Sequence, residues 1–64
     1  MDKILENYYL IRIKECELNI TMYDELFHFA SDKKDFDLAQ IYSEEITYWI
    51  KKKLEYIEKI EGNE

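Results

Sequence analysis

Sixty-four residues make one domain at most, and a chain this short needs disulfides, a metal, a second copy or dense helix packing to bury enough surface. A lone cysteine, Cys16, excludes an intramolecular disulfide, and a single histidine leaves no zinc set, so neither metal nor cofactor is expected. A net charge of -6 argues against nucleic acid and anionic membranes as partners, while a hydrophobic content of 47% with nine isoleucines excludes a disordered acidic chain.

From Asp2 to Ala30 nothing breaks a helix. Leu5, Tyr9, Ile13, Cys16, Ile20, Tyr23, Phe27 and Ala30 recur at spacings of three and four, which predicts one buried seam. A second row, Ile4, Tyr8, Ile11, Leu18, Met22, Leu26 and Phe29, has similar spacing about a third of a turn away. Arg12, Glu15 and Asn19 lie between the rows. The polar side, Lys3, Glu6, Lys14, Glu17, Thr21, Asp24 and His28, is narrow and interrupted by Leu10. A helix apolar over more than half its circumference needs more than one neighbour to cover it.

Ser31 to Asp35 is polar throughout and longer than one helical turn, so a continuous helix would lose its seam there. The apolar phase also shifts by about a quarter turn across this stretch, unlike a coiled coil held in register. Lys33 and Lys34 suit a helix C-terminus, and Asp35 and Asp37 suit the N-terminus that follows. Asp37-Leu-Ala-Gln40 has the residue types of a capping box, with Asp35 as the competing N-cap.

Phe36 to Glu61 reads as the second helix, with Ala39, Tyr42, Ile46, Trp49, Tyr56 and Ile60 on its seam and Ile50, Leu54 and Ile57 alongside. Lys53 intrudes on that seam. Gly62 stands where a left-handed residue would end the helix. The expectation is an all-α fold in which residues 1–64 form one helical-hairpin domain: a helix over about 2–30, a turn over 31–35 and a helix over about 36–61. Such a hairpin covers only one side of its first helix. Two hairpins back to back would bury both rows, which predicts a homodimeric four-helix bundle.

Little in the chain points to catalysis. Cys16 sits on the seam as a small apolar residue, and the carboxylates lie on helix surfaces without a pocket or a nucleophile. Asp24, His28 and Asp32 share one strip, with no ligand from the second helix to complete a metal site. The run Lys51 to Lys53 near Tyr48 and Tyr56 is the one basic-aromatic patch, and Glu55 and Glu58 flank it. In length and layout the chain is similar to the Rop-type plasmid RNA-binding hairpins. No residue motif is shared, so the likeness is one of architecture and carries no site residues. It makes RNA or DNA binding through Lys51, Lys52 and Lys59 the alternative function.

Ile41 and Tyr48 lie toward the solvent side of the second helix, with Glu45 and Lys52 on the same strip, and form a candidate surface for a protein partner. The leading expectation is a small non-enzymatic regulator that binds another protein, with acidic mimicry of nucleic acid as one version. A purely structural oligomerisation module is the third reading. The segment MDKILENYYLIRIKE lacks the features of a signal peptide, and the expected compartment is the cytoplasm. Eight lysines to one arginine, with only two alanines, suggests AT-rich codons and a low-GC bacterium or its phages and plasmids.

Overall fold

The chain reverses direction in three residues, Lys33, Lys34 and Asp35. The Lys34 N–H donates to the Ser31 carbonyl at 2.9 Å and the Asp35 N–H to the Ala30 carbonyl at 2.9 Å, the paired bonds of a Schellman ending. That ending needs a left-handed residue, and Lys34 supplies it at φ 62. Asp35 then starts the next helix: its Oδ1 accepts from the Leu38 N–H at 3.2 Å, and its carbonyl accepts from the Ala39 N–H at 3.0 Å.

A computed structural model describes residues 2–62 and contains two helices, α1 (Lys3–Asp32) and α2 (Phe36–Glu61), packed against each other as a hairpin. Positions 1, 63 and 64 of the expected domain lie outside the described residues. At the start of α1, Asp2 Oδ1 accepts from the Ile4 N–H at 3.0 Å.

Two expectations about helix ends need correction. Asp37 does not open a capping box, because Asp35 takes the N-cap and leaves Asp37 inside the first turn. Gly62 is not left-handed: at φ -80 it continues the right-handed path and donates its N–H to the Glu58 carbonyl at 2.7 Å. The left-handed residue is instead demanded where the chain must reverse, at a position that carries no glycine.

The seam forms because small residues let the helices approach while aromatic residues fill the space between them. Cys16, Ala30 and Ala39 are the buried residues, the last two on either side of the turn. Tyr9 stacks at a tilt on Tyr56 with centroids 5.9 Å apart, and Tyr23 on Tyr42 at 6.0 Å. These two pairs set an antiparallel register, and each ring contact is worth about 1 kcal/mol beyond its area. Ile13, Ile20 and Phe27 of α1, with Ile46, Trp49, Ile57 and Ile60 of α2, are half-buried. Leu5, at the open end, is exposed.

Lys53 intrudes on the seam for a reason that only the tertiary structure supplies. Its Nζ lies 3.5 Å from Glu17 Oε2 on the facing helix. The lysine stem packs over the seam while its head reaches the polar edge of α1. Ile50 and Ile57 stand one turn to either side of it.

Candidate interaction surface

The second apolar row of α1 remains open in the hairpin. Ile4 is 80% exposed, Ile11 60%, Leu18 62% and Phe29 62%, with Tyr8 and Met22 also exposed. Leu26 is the half-buried member, since it lies one turn from buried Ala30. On α2, Ile41 and Tyr48 are exposed, and Glu45 and Lys52 are half-buried beside them.

The two strips belong to one face. On the α1 side, Arg12 Nη1 donates to Glu15 Oε2 at 2.6 Å, its Nε donates to the Tyr8 hydroxyl at 3.4 Å, and its guanidinium stacks over the Tyr8 ring. Arg12 and Glu15 thus mark the edge of α1 that carries Tyr8 and the rest of the open row. They share a cleft of about 280 Å³ with Tyr48 and Lys52 of α2, along with Cys16, Trp49 and Tyr56. Glu17 and Lys53 close the opposite edge of the seam. With one edge marked by the cleft and the other by the ion pair, helical periodicity carries Ile4 to Phe29 and Ile41 with Tyr48 onto the same broad side. The sequence presents them as two separate features because it does not show which flank of α2 turns toward which flank of α1.

Two cations on this face, Arg12 and Lys52, already have a carboxylate partner on their own helix. Hydrogen bonds to Tyr8 and Glu15 hold Arg12 even more firmly in its charged form. Glu55 raises the Lys52 ammonium from its ordinary value, and the two groups lie 3.5 Å apart. Cys16 behaves as a core residue: burial pushes its thiol upward, and Glu15 pushes the same way. A thiol in that setting is a poor nucleophile at neutral pH. The Trp49 Nε1 is buried with no hydrogen-bond partner among the described residues, so the indole serves the seam by its apolar surface.

The opposite side of the hairpin is more polar. Leu10, Ile50 and Leu54 are exposed there among Glu17, Thr21, Asp24 and His28. His28 Nε2 lies 3.6 Å from Asp24 Oδ1. Among the described residues no three His, Cys, Asp or Glu side chains are placed to hold a metal ion, and no helix is long and apolar enough to cross a membrane.

The lysine run does not form a patch. Lys52 is drawn to Glu55 along its own helix and Lys53 to Glu17 across the seam, while Lys51 is exposed. No protein-family model, curated protein or solved structure matches this chain.

Proposed function

We propose that the hairpin is a small non-enzymatic regulator that works as a homodimer, two copies closing into a four-helix bundle that binds and modulates another protein. The observation that carries this reading is the broad apolar face, where the open row of α1 and Ile41 with Tyr48 of α2 stand together in solvent. Large apolar side chains exposed in this number along one side favour an interface. The small core supports it too, since among the described residues Cys16, Ala30 and Ala39 alone are buried.

With the apolar face engaged, contact with the regulated protein falls to the outward acids: Glu6, Glu17 and Asp24 on α1, and Glu44, Glu55 and Glu58 on α2. Glu17 and Glu55 already balance lysines, so Glu44 and Glu58 are the freer charges. Two chains at -6 each carry -12, which suits a basic partner surface of the kind that binds nucleic acid. The same charge balance, together with lysines held by glutamates, supports protein over RNA or DNA as the partner.

The test has two arms. Sedimentation equilibrium of the full chain should show a dimer at micromolar concentration; a monomer at about 100 µM removes the bundle. Capture from the source cell should retain a basic protein that high salt releases, and Glu44→Lys with Glu58→Lys should abolish capture without changing the sedimentation. Capture that survives both salt and charge reversal rejects the acidic surface.

A further inference from the structure

We propose that the second copy covers the broad face about a two-fold axis perpendicular to the helices, so that α1 packs antiparallel on α1 and α2 on α2, with Tyr48 beside the axis. This rests on the dimeric reading above and specifies its geometry. The hairpin alone permits a second choice, in which each α1 lies on the other copy's α2. Three observations bear on the choice.

The first is the unequal distribution of apolar surface. The open edge of α1 is nearly all apolar, whereas the matching edge of α2 alternates Ile41 and Tyr48 with Glu45 and Lys52. Laying α1 on α2 would press Glu45 against the apolar side chains at the level of Leu18 and Met22 and strip its water. Laying like on like sets Ile4 near Phe29 of the partner subunit and Ile11 near Met22 of the partner subunit, brings Glu45 toward Lys52 of the partner subunit, and leaves Glu15 with its own Arg12.

The second is spacing. Ile4, Ile11 and Leu18 are seven residues apart, and so are Tyr8, Glu15, Met22 and Phe29. A seven-residue repeat keeps one seam facing a partner helix along its whole length. The seam carries two charges, Glu15 and, one repeat beyond Leu18, Glu25; Glu15 brings its own counter-ion, Arg12, at 2.6 Å.

The third is the coincidence of two midpoints. The row from Ile4 to Phe29 is centred between Cys16 and Glu17. Glu45 and Lys52 are centred between Tyr48 and Trp49. Cys16 and Trp49 line the same cleft, at the level that the Tyr9–Tyr56 and Tyr23–Tyr42 register sets, so one axis serves both helices. Rotation about it carries Ile4 onto Phe29 of the partner subunit. It also sets Glu45 against Lys52 of the partner subunit, and the reciprocal pair forms by symmetry. Among the described residues no ion pair within the hairpin engages Glu45. The hairpin extends 47 by 15 by 10 Å, so its broad side is the largest surface it can offer a second copy.

Charge exchange and cross-linking of the full chain test this arrangement. Glu45→Lys and Lys52→Glu should each weaken the dimer about tenfold by setting like charges opposite each other, and the double variant should recover most of the loss. In a Cys16→Ala background, Tyr48→Cys should oxidise to a disulfide-linked dimer while Lys51→Cys, on the outward surface, stays unlinked. A wild-type dimer that ignores both reversals and links Tyr48→Cys no better than Lys51→Cys overturns this axis and leaves the dimeric reading standing. A wild-type chain that is monomeric at about 100 µM removes both.

Discussion

Glu17 and Lys53 meet across the two helices with oxygen and nitrogen 3.5 Å apart, and theirs is the interhelical ion pair among the described residues. Both side chains are partly exposed, so the attraction is screened by water and salt. Lys53→Ala should cost about 0.5 kcal/mol in urea unfolding, while Lys53→Glu, which places like charges together, should cost more. The difference between the two variants should shrink in 1 M salt. Equal losses at both salt concentrations would mean that Lys53 acts through the packing of its stem.

Lys34 holds a left-handed conformation that a side chain with a Cβ adopts at a cost of about 1 kcal/mol. Lys34→Gly should therefore raise the denaturation midpoint by the equivalent of about 0.5 kcal/mol, after allowance for the greater freedom glycine gives the unfolded chain. Lys34→Val should lower it by more. A glycine variant no more stable than wild type would show that the turn carries no strain at this position.

Asp35 and Asp2 cap the two helices in the same chemical manner but in different settings. Asp35→Ala removes the acceptor for the Leu38 N–H beside the turn, where α1 and α2 are joined, and should cost about 1 kcal/mol. Asp2→Ala, at a free helix start, should cost less, because that end can fray without opening the seam. Thermal unfolding followed by circular dichroism compares them directly, and a larger loss at Asp2 would reverse the assignment.

Cys16 is 1% exposed, and burial raises its thiol above the ordinary value of 9.0. The native chain therefore holds the thiol neutral where the unfolded chain would ionise it. The sign follows: the contribution to stability is complete below the unfolded value and is lost as pH rises through the native one. Alkylation at pH 8 should run at least about 100-fold slower in the folded protein than in urea, as expected when the reaction must wait for opening. Rapid labelling under native conditions would mean that the seam opens around Cys16.

Much of the hairpin is legible in residue order. The seam from Tyr9 to Phe27 follows from spacing because a helix returns to the same side every 3.6 residues, and the polar stretch over 31–35 contains the turn, although α1 itself runs on through Ser31 to Asp32. The open row from Ile4 to Phe29 is equally visible, since one neighbour cannot cover two rows. Tertiary structure decided what depends on how two cylinders are turned toward each other. It gave Lys53 a carboxylate to meet, settled the N-cap on Asp35 from the two candidates the sequence offers, and placed the left-handed residue at Lys34 where the chain had to reverse. Above all it set Ile41 and Tyr48 on the same side as the open row of α1. Periodicity fixes angles within one helix, whereas the angle between helices depends on which side chains pack in the seam.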